Sequence, residues 1–354
     1  MRSLRCFLLF LPALLLGRAD LQGQTAQALV ARADDHHFNL EHDQAIRDYY
    51  AAMAASQPSA EIWNRIATVI LYQELHRLGM LETSAFRGDN QFLDQEKPKP
   101  DPEVKTRFLG ALAEARRLAE SELKTNPKAT PALFVLSQNY GLEANYLFMI
   151  DKSYIAALRA GNKARKYSDE LREIDPQYID SYLVAGVQEY VVGNLPWAVR
   201  ALVAIGGIHG SKEKGRDWLE RVADEGETLQ TEARVLLALL YRRERRPLDA
   251  AKVLEGLIEQ FPRNYVLRLE LASMYLDADE REKGLAVLLT TDRMVQTGEN
   301  NYGRMPQRLR DALTRKIRTV REELQKTPRK SAYQAAYPGL VRAVAPSLDT
   351  ATST

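Results

Sequence analysis

The chain has 354 residues, 45% of them hydrophobic and 27% charged, with a formal charge of +2. This is the composition of an ordinary folded domain or two, and it excludes a disordered chain or a polytopic membrane protein. The near-zero charge offers no bulk electrostatic capture of nucleic acid.

The first residues read "MRSLRCFLLFLPALLLGRAD". Arg2 and Arg5 precede an apolar run from Cys6 to Leu16, which small residues follow. This is the pattern of a secretory signal peptide, too short to span a membrane. Cleavage is expected after Ala19, with Ala26 and Ala28 marking a second possible site. Removing residues 1–19 leaves 46 basic against 47 acidic residues. Cys6 is the only cysteine and departs with the signal, so the mature chain has no disulfide, no thiolate nucleophile and no cysteine metal site. The expected product is soluble and exported, periplasmic where the cell has two membranes.

From residue 26 the chain reads as helix pairs. Ala45, Tyr49 and Pro58 mark the second helix of an irregular first pair. "AEIWNRIATVILYQELHRLG" opens a second pair with Trp63, Ile66 and Ala67; Ala115, Ala119 and Pro127 lie on its partner helix. Between them, residues 80–103 are rich in proline and charge, which predicts a surface excursion. Leu133, Leu136, Ser137 and Tyr140, then Ala164, Leu171 and Pro176, write a third pair. Tyr182, Ala185 and Gly186, then Gly215, Leu219 and Val222, write a fourth. An insertion near 193–211 separates its helices. It is almost wholly apolar, so it is expected to be core, to line a pocket or to meet a partner.

The last two pairs are regular. In a 34-residue window from Thr231, Leu237, Ala238 and Tyr241 fall at positions seven, eight and eleven. Ala250, Leu254, Leu257 and Pro262 fall at twenty, twenty-four, twenty-seven and thirty-two. The next window begins at Tyr265 without a gap and places Leu271, Ala272, Tyr275, Gly284 and Leu288 in the same phase. Large–small–large spacing makes a notch on the first helix, a small residue lets the second approach, and proline stops it. This spacing resembles the tetratricopeptide repeat over residues 26–298, about six repeats in all. The resemblance implies an all-α fold, a right-handed solenoid of antiparallel helix pairs extending over 26–303. A helix at 304–326 carries the stripe Leu309, Leu313, Ile317, Val320 and Leu324 and is expected to cap the stack. Residues 327–354 show no periodicity and are expected to be disordered.

No catalytic constellation emerges, so the expectation is a non-enzyme without cofactor or metal. "DDHHFNLEHD" gathers His36, His37 and His42, but its spacing matches no ligand rule and predicts a solvated polar turn. "GGIHGSKEKG" lacks the preceding strand and the lysine position of a phosphate loop. There is no nucleophile elbow and no His-Glu-x-x-His.

The resemblance implies a concave groove lined by the first helix of each pair, holding a protein or peptide. Window positions two, five, nine and twelve form the candidate inner face. In the fourth and fifth pairs this face holds Asp180, Leu183, Val187 and Tyr190, then Glu232, Val235, Leu239 and Arg242; the candidate site takes Leu183, Val187, Tyr190, Val235, Leu239 and Arg242, with Trp197 of the insertion folding back over them. An exported interaction scaffold is one reading. The alternative is a ligand-binding accessory subunit resembling the tetratricopeptide components of solute transporters, which an enclosed cavity beside Trp197 would favour.

Overall fold

The computed structural model describes residues 25–81, 99–195, 200 and 209–326. The signal segment, most of both insertions with Trp197, and the tail lie outside these residues. The first pair is α1 (25–38) and α2 (His42–Ala55). The second and third are α3 (Ala60–Arg77) with α4 (Pro102–Thr125), and α5 (Thr130–Met149) with α6 (Tyr154–Ile174). Then come α7 (Tyr182–Gly193) with α8 (Lys212–Glu225), α9 (Gln230–Arg243) with α10 (Pro247–Gln260), and α11 (Tyr265–Asp277) with α12 (Arg281–Thr297). A final helix, α13 (Gln307–Lys326), follows. No strand occurs among the described residues. Each of these elements packs on its chain neighbour, and the first helices of successive pairs also meet, α3 on α5 and α5 on α7. The fold is therefore an all-α solenoid.

Local chemistry fixes the helix starts. Ser59, Asp101, Ser211 and Asn264 each accept a backbone N–H of the helix they precede. Pro102 and Pro247 occupy first-turn positions, where the missing N–H costs nothing. Three pairs turn in the same way. Leu40, Arg245 and Asp279 take left-handed φ values of 63°, 59° and 62°. In each case the next residue donates its N–H back into the first helix: Glu41 to His36, Arg246 to Tyr241 and Glu280 to Tyr275. None of the three is glycine, so each turn holds a backbone conformation that costs an L-residue about 1–2 kcal/mol.

The small residues of the repeat pattern lie at close helix crossings. A Cβ on Gly284 would meet the Leu276 side chain at 2.8 Å, and one on Gly215 would meet the Tyr190 backbone N at 2.4 Å. Helix α13 lays Leu309, Leu313, Ile317 and Val320 into a core shared with Leu285, Leu288 and Tyr302. The apolar end of the sixth pair is thereby covered.

The two ends of the solenoid meet. Arg263, at the α10–α11 corner, donates to Asp35 at 2.5 Å and to Glu41 at 3.1 Å. Its backbone N–H donates to Asn39 Oδ1 at 2.9 Å, and Asn264 Nδ2 donates to the Phe38 carbonyl at 2.7 Å. Asn301 Nδ2 donates to the Asn39 carbonyl at 3.0 Å, and Phe38 packs its ring on Phe261. These bonds join positions more than 220 residues apart. The α1–α2 corner is thus seated against the α10–α11 corner, and the concave side expected as an open groove is bridged by the chain itself.

Candidate functional site

Where the ends meet, they line a partly open pocket of about 100 Å³. His37, Phe38 and His42 line it from the first pair, and Tyr72 from α3. Glu232, Val235 and Ala238 line it from α9, and Val266, Glu270 and Met274 from α11. The walls are mostly apolar, and the polar groups among them are unusually poor in partners.

The turn expected to be solvated is instead inside. His37 and His42 are each 6% exposed, because the α10–α11 corner covers them. Nδ1 of His37 and both ring nitrogens of His42 lack a hydrogen-bond partner. Burial, with His42 and Arg65 nearby, pushes His37 down to about 3, and burial with His76 pushes His42 down to about 4. Both are therefore neutral imidazoles at neutral pH. Among the described residues no group of three or more side chains is arranged to hold a metal ion.

Glu232 sits in the first turn of α9. Its Oε2 is out of contact with solvent and has no hydrogen-bond partner. Burial pushes its carboxyl up to about 7, although Arg65 and its own backbone N–H work against the shift. Tyr72 is pushed up to about 12 by burial and by Glu232. Arg65 is itself engaged, donating to Asp34 at 2.6 Å and to Glu61 at 2.9 Å. Glu270 is bridged to α9 by Arg242, which also reaches Asp277 at 3.0 Å.

The expected inner-face residues divide. Val235 lines the cavity. Arg242 is an ion-pair bridge between α9 and α11, its side chain 7% exposed. Leu239 is half-buried. Leu183 and Tyr190 are buried between α6, α8 and α9, with Val187 packed at the edge of the same cluster, so Leu183 and Tyr190 present no open face. The glycine pair contributes: Gly186 and Gly215 let α7 and α8 approach closely beside Tyr190. The cavity lies at the closed ends of the solenoid, and Trp197 is outside the described residues. The "GGIHGSKEKG" stretch ends as a helix start. Ser211 caps α8, and its N–H is held by the Glu189 carboxylate at 3.0 Å, an anion where a phosphate loop would leave room for one.

A second feature is external and was not marked by the repeat spacing. At the α5–α6 corner Phe148 and Tyr154 meet edge to face at 5.4 Å. Ile155 is 71% exposed and Leu158 is 42% exposed. Val191, 53% exposed, lies on α7, antiparallel to α6 and near its N-terminal end.

No protein-family model matches the sequence, and no curated protein sequence matches it. Among solved structures the chain is similar to TTC0263, a tetratricopeptide protein of Thermus thermophilus (17% identity, TM-score 0.39, 71% of this chain and 99% of that one). It is also similar to a tetratricopeptide repeat protein of Parabacteroides merdae (14%, 0.33, 85% and 89%). A third similar structure is yeast Tom70 (12%, 0.26, 86% and 99%). The class rests on this chain's own geometry: among the described residues, six successive antiparallel helix pairs make it an α-helical repeat protein.

Proposed function

We propose that this chain is a non-enzymatic interaction scaffold, exported to the periplasm where the cell has two membranes, that docks a partner protein through the α5–α6 corner. The observation that carries the reading is the exposed apolar patch of Tyr154, Ile155 and Leu158 beside Phe148. Apolar side chains of this size contribute about 1.5–3 kcal/mol each when a partner removes them from water. Aromatic anchors with a polar tip are frequent centres of such interfaces. The concave side is the less suitable surface, because the bonds from Arg263 and Asn264 close it.

Export is supported by the Arg2 and Arg5 flank and the apolar run before Ala19. No helix among the described residues is long and apolar enough to cross a membrane. N-terminal sequencing of the fractionated protein checks this part: a shortened chain outside the cytoplasm is expected, and full-length cytosolic protein refutes it. For docking, a photo-crosslinking residue at position 155 should trap a discrete partner in the native cell, and one at position 235 should trap none. Trapping at 235 alone would return the interface to the concave side.

A further inference from the structure

We propose that the cavity between the joined ends of the solenoid is a binding site for a small organic cation, an ammonium group on a compact apolar body. Three observations converge on it, all separate from the α5–α6 surface.

The first is the concentration of orphaned polar atoms. Glu232 Oε2, His37 Nδ1 and both nitrogens of His42 are buried without partners, and all three residues line this one cavity. Buried polar groups in folded chains are almost always hydrogen-bonded. Several such atoms gathered around one cavity are the arrangement of a site that can receive a polar ligand.

The second is the sign of the charge. The ionisable acids in the wall are Glu232 and Glu270, and the wall contains no lysine or arginine. The nearby cations are already committed. Arg242 bridges Glu270 and Asp277, and Arg65 bridges Asp34 and Glu61. The buried histidines are neutral, so Glu232 is the carboxyl group left for an incoming charge. A bound ammonium would favour its carboxylate form, as an opposite charge at short range does. The aromatic rings of Tyr72 and Phe38 in the same wall offer π surface to a cation.

The third is size and polarity. Phe38, Leu40, Leu254, Val266 and Met274 make the rest of the lining apolar. A dry apolar cavity of ~150 Å³ accepts a benzene ring. A partly open volume of about 100 Å³ therefore seats a short branched chain, or a single ring that extends into the opening. The neutral imidazoles of His37 and His42 supply acceptors for the remaining ammonium hydrogens.

The test is calorimetric titration and thermal melting of the full chain at pH 8 with three probes of similar shape: benzylamine, benzyl alcohol and benzoate. Benzylamine should bind and raise the melting temperature, with at least about tenfold preference over the other two, the scale expected when a charge-assisted bond is lost. Glu232→Gln keeps the shape, removes the charge and should erase that preference. Ala238→Leu fills the cavity from α9 and should abolish binding of all three. Equal binding of benzoate and benzylamine, silence toward benzylamine, or undiminished preference in Glu232→Gln would each overturn the proposal. The wild-type comparison alone decides it should either variant fold poorly.

Discussion

Arg263 and Glu41 stand 222 positions apart in the sequence and 3.1 Å apart in space. The pairing is two-pronged, Nε to Oε1 and Nη2 to Oε2, and the same Nη2 also reaches Asp35. Burial works against the ionised Glu41, yet Arg263 and His36 outweigh it and hold its carboxyl below the usual range. The closure of the solenoid is thus written in charge as well as in shape.

Reversing that charge should open the ring. Arg263→Glu sets a third acid against Asp35 and Glu41. The expected result is a larger radius of gyration by small-angle scattering and faster amide exchange over residues 35–41, with helix content unchanged. Arg263→Ala should cost about 1–2 kcal/mol, because the network is only partly shielded from water. Unchanged scattering from Arg263→Glu would mean that apolar contacts such as Phe38 on Phe261 hold the ends unaided.

Gly215 and Gly256 should answer alanine in opposite directions. A Cβ at 215 meets the Tyr190 backbone at 2.4 Å, and backbone cannot step aside. Gly215→Ala should therefore destabilise by about 1–3 kcal/mol, the range for overpacking. A Cβ at 256 has nothing within 4 Å, so Gly256→Ala should stabilise α10 by about 0.5–1 kcal/mol through backbone entropy. Denaturant melts of the two variants separate these signs.

Between pH 4.5 and 6.5 the shielded histidines and Glu232 compete. His37 and His42, with folded values of about 3 and about 4 against 6.5 unfolded, take up protons only on unfolding. Their share of the stability is whole above 6.5 and falls away as the pH drops. Glu232, at about 7 folded against 4.5 unfolded, does the reverse, and its share falls as the pH rises toward 7. His76, also held below its ordinary value by burial, joins them, so the histidines outweigh Glu232 and stability rises with pH across this window. Glu232→Gln removes the opposing group and should steepen that slope. A slope that does not steepen would mean that Glu232 titrates alike in the folded and unfolded chains.

Removing residues 304–326 should bare Leu285, Leu288 and Tyr302 and cause aggregation or a lower melting temperature. A milder probe is Leu313→Ala, 2% exposed in the parent, with an expected cost of about 2–5 kcal/mol. A truncated chain that melts like the parent and stays monomeric would deny α13 its covering role.

The helix pairs were legible because their grammar is local. Ala250, Leu254 and Pro262 sit one helix turn from the residues they serve, so spacing alone places them. The left-handed backbone at Leu40, Arg245 and Asp279 was not, although the Arg-Arg-Pro step marks a turn at 245–247, since such a conformation without glycine leaves no mark in composition. Leu183 and Tyr190 were read as inner-face residues because one period was carried from regular repeats to α7, where Gly186 and Gly215 draw α8 over them. The cavity was half visible. Glu232 and Val235 lie at inner-face positions of the fifth window, whereas His37, His42 and Tyr72 join them only through the closure. That closure is the summed rotation of every pair between Phe38 and Phe261, and no short stretch encodes it.

The central claim, docking at the α5–α6 corner, is tested most directly by quantitative capture from the native envelope with the parent chain and Ile155→Asp/Leu158→Asp. Both positions are solvent-facing, so the double variant should melt within about 0.5 kcal/mol of the parent per site. The account predicts that a folded double variant loses the proteins the parent retains, while Glu232→Gln keeps them. Capture of the same proteins in the same amounts by the double variant would contradict it.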